Sequence, residues 1–374
     1  MIRFIDTNST KSGRTFYEAL VMYDHRYANK HAIPLDEKFV EYESDMYYLI
    51  SSDYFYVRDG DELDPHILSL AKQGKIKLLF DFSFEADWRG IQSFINFVER
   101  QRIPKESWLA LTGGDMNGHE MHPQVCHCPM FEIKARYCVQ ENLVHDFGVS
   151  QHKKFLFLNA RPRPHRVALM YQLSQRKLLE HGYCTLPHER GNFIEDYNLK
   201  DNIDHAIQQG IDISVSHLYE FQVQLPFELD DTSRANSLIL NDSVLGDIYS
   251  YVDFVVVTES MVSTGDNMVF ITEKTMKAIA NKKPFIVLGD PGTLEYMRSI
   301  GYKTYDFLID ESYDTMPYGE RVNKITSEIE RLCKVDFGKF RDQIEAVAQH
   351  NYDHMMSKET YKPRIEKLIN FLTT

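Results

Sequence analysis

Lys154-Phe-Leu-Phe-Leu-Asn-Ala-Arg-Pro-Arg-Pro-His-Arg166 is the stretch whose reading decides the fold. Lys154–Leu158 is a compact apolar strand, and Asn159–Pro164 is a loop stiffened by two prolines. Helical spacing then runs from His165 to His181, with Val167, Met170, Tyr171 and Leu178 on the apolar face and Gly182 as a C-cap. The same alternation continues downstream. Asp253–Val257 reads as a β-branched strand, and Thr272 as the N-cap of a helix to Asn281. Pro284–Leu288 is the next strand, closed by the turn Gly289-Asp-Pro-Gly292. A helix over Thr293–Ile300, a short strand near Lys303 and a long amphipathic helix after Tyr318 follow.

Upstream, Lys77–Phe82 and Trp108–Thr112 are buried strands flanking a helix over Ile91–Arg102, whose Ile91, Phe94, Ile95 and Val98 share one face. Gly113-Gly114 stops the second strand, and Asp115–Pro129 reads as a loop. Strands alternating with helices predict an α/β protein with parallel sheets covered on both faces. Two such units are expected, with a cleft at the carboxyl ends of their strands.

Composition agrees with two domains. The chain has 374 residues, 43% apolar and 26% charged, which excludes a disordered or fibrous protein. Its 42 Lys plus Arg against 55 Asp plus Glu give a net charge of −13, an argument against broad nucleic-acid binding. Any anionic ligand must be held by a few placed cations. Five cysteines in so long a chain make no disulfide framework and favour a reducing compartment. The N-terminal segment is polar within six residues, and no run approaches the roughly 18–20 apolar residues that cross a bilayer. A soluble cytoplasmic protein without membrane partners is expected.

Three constellations carry possible chemistry. Asn159, Arg161, Arg163 and Arg166 surround the start of a helix, where unpaired N–H groups and guanidinium forks suit a phosphate. Glu259 ends a strand, and Thr272-Glu273-Lys274 opens the next helix. Such a carboxylate can accept from ribose or sugar hydroxyls, and such a lysine can reach a diphosphate. His119, His122, Cys126 and Cys128 form a loop with a weak structural-zinc signal, because Cys-x-Cys is tighter than the usual spacing. Asp81, Glu85 and Asp115, near strand ends in the first half, are candidate general bases. Walker, Gly-x-Ser-x-Gly and His-Glu-x-x-His motifs are absent from the sequence, so P-loop, α/β-hydrolase and zincin readings have no support.

The order Val257-Thr-Glu-Ser260, Phe270-Ile-Thr-Glu-Lys274 and Lys283-Pro-Phe-Ile-Val287 resembles the donor-binding half of the α1,3-fucosyltransferases, glycosyltransferases of the GT-B fold. Asn159 and Arg166 match the family's strand–Asn–loop–Arg–helix segment, and the likeness spans about residues 151–310. It extends to glycosyltransferase-like proteins of large tailed phages. The resemblance implies two Rossmann-like domains facing across a cleft. An acceptor-side domain would take 1–150 and a nucleotide-sugar domain 151–345, with 346–374 a C-terminal helix crossing back, apolar at Ile365, Leu368, Ile369 and Leu372. It further implies that Arg166 and Lys274 contact donor phosphates, that Glu273 lies on the nucleotide-sugar, and that Glu259 lies near the ribose or the transferred sugar. Glu259 and Val269 depart from the family's Asn and Asp, so no particular sugar or nucleotide follows.

The expected activity is therefore transfer of a sugar from a nucleotide diphosphate to a hydroxyl acceptor, inverting and metal-independent. The nucleotide-sugar is a co-substrate and no cofactor is expected. The acceptor is a glycan or, by the phage likeness, a hydroxymethylated DNA base in a host cytoplasm. A non-catalytic nucleotide- or phosphosugar-binding protein is the alternative of another class.

Overall fold

A computed structural model describes residues 3–6, 32–34, 46–51, 63, 65–84, 86, 88–115, 121–142, 144–159, 163–186, 207–208, 210–211, 245–260, 262 and 268–373. The protein divides into two compact units, Met1–Lys134 with Ser357–Thr374, and Ala135–Met356. The boundary thus falls at 134, inside a helix, where the sequence reading put it at 150. Among the described residues no helix is long and apolar enough to cross a membrane.

The first unit is built on a six-stranded parallel sheet. Its strands are β1 (Arg3–Asp6), β2 (Ala32–Pro34), β3 (Met46–Ser51), β4 (Lys77–Phe82), β5 (Trp108–Thr112) and β6 (Val125–His127), in the order β2-β1-β3-β4-β5-β6. The two faces of β4 serve two cores. Leu78, Phe80 and Phe82 pack with α1 (Pro65–Lys72) and α2 (Trp88–Arg100), and Phe80 stacks on Phe94 at 4.6 Å. Leu79, with Leu109, Leu111, Cys126 and Cys128, is covered by Tyr361, Ile365, Leu368 and Leu372 of the C-terminal helix Lys358–Thr373. Over β4, β5 and β6 the sheet is therefore covered on both sides, as the apolar runs required.

Residues 115–129 are not all loop. Val125-Cys-His127 is the sixth strand, paired with Ala110–Thr112. Three residues between Pro123 and Pro129 are too few to show a period, which is why the pattern hid them. The helix after it, α3 (Met130–Gln140), begins in this unit. Its Glu132 takes both guanidinium nitrogens of Arg364, at 2.6 and 2.6 Å, in a nearly buried fork.

The second unit holds a four-stranded parallel sheet of β8 (Lys153–Leu158), β9 (Gly182–Thr185), β11 (Val252–Thr258) and β12 (Phe285–Leu288). Two short strands, β7 (Val144–His145) and β10 (Leu245–Gly246), pair separately. The four strands lie in the order β12-β11-β8-β9. From β8 the chain steps outward to β9, then returns to the other side of β8 for β11, so the winding reverses between β8 and β11. Helices α4 (Pro164–Gln175), α5 (Glu273–Ala280), α6 (Thr293–Ser299), α7 (Tyr318–Leu332) and α8 (Arg341–Met356) accompany it.

The expected helix His165–His181 stops at Gln175, and Leu179–His181 is a separate tight turn. Lys177, at φ 57°, turns the chain there, and Gly182 begins β9 in extended form instead of capping the helix. Residues 302–304 near Lys303 form no strand; Asn351 pins that backbone through Lys303 N at 2.8 Å and Lys303 O at 2.8 Å.

The Glu132–Arg364 fork yields a stability test. Arg364→Met leaves a buried carboxylate without its cation and is expected to destabilise the first unit by about 3–5 kcal/mol in urea unfolding. Glu132→Leu combined with Arg364→Met should regain most of that loss.

Candidate functional site

Ligands of open parallel sheets bind beyond the carboxyl ends of the strands, where the winding reverses. In the second unit that point lies between β8 and β11. Thr258 Oγ1 donates there to Asn159 Oδ1 at 2.7 Å. Asn159 N donates to Thr185 Oγ1 at 2.9 Å, so the predicted Asn159 ties β8 to both neighbours. Its Nδ2 is buried and has no hydrogen-bond partner among the described residues.

Glu259 follows directly and is fully buried. One carboxylate oxygen accepts from Thr272 N at 3.0 Å and Thr275 Oγ1 at 2.6 Å; the other accepts from Thr272 Oγ1. The sequence reading gave this carboxylate to ribose or sugar hydroxyls. The structure turns it instead onto the first turn of α5, whose unpaired N–H groups and partial positive charge attract it.

Thr272 is the N-cap, as its position predicted. Because its hydroxyl hydrogen goes to Glu259, its lone pairs are left for Lys274, which donates from N at 3.4 Å and from Nζ at 3.2 Å. Lys274 Nζ also donates to Ser260 Oγ at 3.3 Å and to Glu273 Oε1 at 2.6 Å. Burial opposes the charge of Glu273, but Lys274 and Lys277 prevail and hold its carboxyl down at about 2.

The arginine loop meets the same place from the other side. Arg163 Nη1 donates to Ser260 O at 2.5 Å, and Arg166 Nη2 to Glu259 O at 3.4 Å. His165, which the sequence did not single out, donates from Nε2 to Glu259 O at 2.9 Å. That bond fixes its tautomer, and burial with Arg166 alongside keeps the ring neutral, well below its usual range. Arg163, Arg166 and Lys274 therefore converge on the dipeptide Glu259–Ser260. Arg161 lies outside the described residues.

A second missed pair sits at the end of β12. Arg321 of α7 is buried and donates to Gly289 O at 2.5 Å and Val262 O at 3.1 Å, joining the segments that follow β12 and β11. Beside it, burial pushes the carboxyl of Asp290 up to about 7, against the pull of Arg321. The sequence marks Gly289–Gly292 as a turn, but an arginine 32 residues away leaves no local signal.

A half-open pocket lies on the α5 side of the sheet. Leu156, Leu158, Tyr249 and residues 255–258 of β11 line it, with Glu273, Lys274 and Lys277 also on its wall.

In the first unit the candidate bases stand at the ends of β4 and β5. Asp81 is buried, and its Oδ1 accepts from Ser83 N at 3.0 Å and Ser83 Oγ at 2.6 Å, bracing the turn. Asp115 is more open, and its Oδ2 lies 3.7 Å from His127 Nδ1. Burial, then Arg364, lowers His127 to about 4. Glu85 and His119 lie outside the described residues. Cys126 and Cys128 are core thiols, both raised by burial, the first to about 11, and His122 accepts from Gln124 N at 3.1 Å. Among the described residues no group of three or more His, Cys, Asp or Glu could hold a metal ion.

Comparison of the chain with protein-family models, curated proteins and solved structures gives no match.

Two outcomes follow from this geometry. Thr272→Val removes the cap and one donor to Glu259, and should cost about 1–3 kcal/mol in urea unfolding of the second unit. Asp290 has a folded value raised from 3.8 to about 7, so its protonated form is favoured by folding. Stability should be greatest below its unfolded value and fall as pH rises towards about 7, by at most ~1.4 kcal/mol per pH unit. Asp290→Asn should flatten that part of the pH–stability curve.

Proposed function

We propose that the protein is a glycosyltransferase that moves a sugar from a nucleotide diphosphate to a hydroxyl acceptor. The convergence of Arg163, Arg166 and Lys274 on Glu259–Ser260, at the reversal between β8 and β11, carries this reading. Concentrated positive charge beside two helix N-termini suits a diphosphate, and an acidic chain has little reason to gather it elsewhere.

In the proposed reaction the bond between the anomeric carbon and the diphosphate oxygen breaks as the acceptor oxygen bonds to that carbon. Negative charge builds on the leaving diphosphate, where Arg166 and Lys274 stabilise it; the partial positive charge at the α4 N-terminus adds to theirs. The acceptor hydroxyl proton passes to a carboxylate of the first unit. Asp115 suits this role better than Asp81, because Asp81 is enclosed by its own turn. Attack from the face opposite the diphosphate inverts the anomeric centre. The two units would work as a GT-B pair, the first holding the acceptor and the second the donor. Glu259 enters as the group that fixes Thr272, and through it Lys274.

A thermal-shift screen with UDP, GDP, CDP and their sugars tests donor binding. One nucleotide should raise the melting temperature of the wild type, and Lys274→Ala and Arg166→Ala should each abolish the rise. With that donor and a hydroxyl acceptor, Asp115→Asn should lower kcat by about 10²–10⁴-fold while the melting shift persists. Binding without turnover in the wild type would leave a nucleotide-binding protein, and no shift with any nucleotide removes the reading.

A further inference from the structure

We infer that the pocket between the β8–β11 sheet face and α5 takes the heteroaromatic base of the nucleotide, an inference that rests on the donor reading above. Leu156 pairs with Val255 in register, so Leu156, Leu158, Val255 and Val257 alternate onto one face of two adjacent strands. Together with Tyr249 they make a wall of aliphatic and aromatic groups. The aliphatic side chains of that wall offer no partners to phosphate oxygens or sugar hydroxyls, which would lose their water against them, and the Thr258 hydroxyl at its end is already spent on Asn159. A flat base has apolar faces and polar edges, and it loses least there.

The polar groups on the wall match those edges. Glu273 is held ionised and is a pure acceptor, with Lys274 Nζ on its Oε1. It would accept from an exocyclic amine or ring N–H. Lys277 lies one turn further along α5 and would donate to a ring nitrogen or carbonyl. Lys274 belongs both to this pocket and to the cluster at Ser260, so a base seated in the pocket has its diphosphate directed towards Arg163 and Arg166. The inferred ligand of the pocket is thus a purine or pyrimidine ring bearing at least one N–H donor.

Titration calorimetry separates this inference from the reading beneath it. Inorganic pyrophosphate and the nucleoside diphosphates ADP, GDP, UDP and CDP are titrated into wild type, Leu158→Trp and Lys274→Ala. Leu158 is half-buried at the strand end, so a larger ring there fills the pocket from its open side. Leu158→Trp should weaken the best nucleoside diphosphate at least tenfold and leave pyrophosphate within twofold. Lys274→Ala should weaken both. Leu158→Phe, a smaller filling, should show the same selectivity in lesser degree and serves if the tryptophan variant fails to fold. Equal binding of the nucleotide by wild type and a folded filling variant overturns the pocket assignment, while diphosphate binding stands. Loss of pyrophosphate and nucleotide in equal proportion also overturns it. Absence of all binding by the wild type removes the donor reading itself.

Discussion

The second unit is organised around one buried carboxylate. Glu259 leaves β11 and accepts three hydrogen bonds from the first turn of α5, while its own carbonyl accepts from His165 and Arg166 of α4. One residue thereby ties a strand end to two helix N-termini. A carboxylate with no exposed surface is tolerable only when its oxygens are met in this way. The arrangement also fixes the hydroxyl of Thr272 as an acceptor, which in turn sets the position of the Lys274 ammonium. Lys274 is then preorganised, and little side-chain freedom remains to be lost when a ligand arrives.

Both sheets are parallel, and both carry candidate polar groups near the carboxyl ends of strands: Asp81 and Asp115 in one, and the cluster from Asn159 to Asp290 in the other. The middles of β4, β5, β8, β11 and β12 are buried and apolar. The amino ends hold charges too, Lys77 on β4 and Lys154 paired with Asp253 at 2.9 Å across β8 and β11, but it is at the carboxyl edges that helix starts add partial positive charge. A protein with net charge −13 gathers arginines and lysine at one such edge, against its overall balance.

Much of this was legible before any coordinates. β4, β5, β8, β11 and β12 announce themselves as short, mostly apolar runs, and Ile91, Phe94, Ile95 and Val98 all reach the core as their spacing required. Thr272 could be read as a cap because capping is decided within three residues. The orientation of Glu259 could not, because it is decided by Thr272 and Thr275, 13 and 16 residues further on. Arg321 and His165 find their carbonyls 32 and 94 residues away, and no local pattern carries that. The His–Cys segment misled for a different reason. Cys126 on a strand too short to show a period, and Cys128 just beyond its end, are both buried in one core.

The second unit is an insertion in the first, and this bears on the order in which the chain folds. The C-terminal helix must find the first unit's sheet and Glu132 of α3, which is 232 residues upstream of its partner Arg364. Closing so long a loop from an unfolded chain costs about 5 kcal/mol of entropy before any contact rewards it. Within the second unit, however, Arg136 Nε donates to Met356 O at 3.1 Å, across 220 residues of sequence. Once that unit has formed, the two points where the chain passes between units are already side by side. The helix is then tethered by a short connection, and the long-range pairing becomes a local one. Folding of the inserted unit first is the inexpensive route, and a second unit that folds slowly would leave Leu79, Leu109 and Leu111 uncovered for as long as it takes.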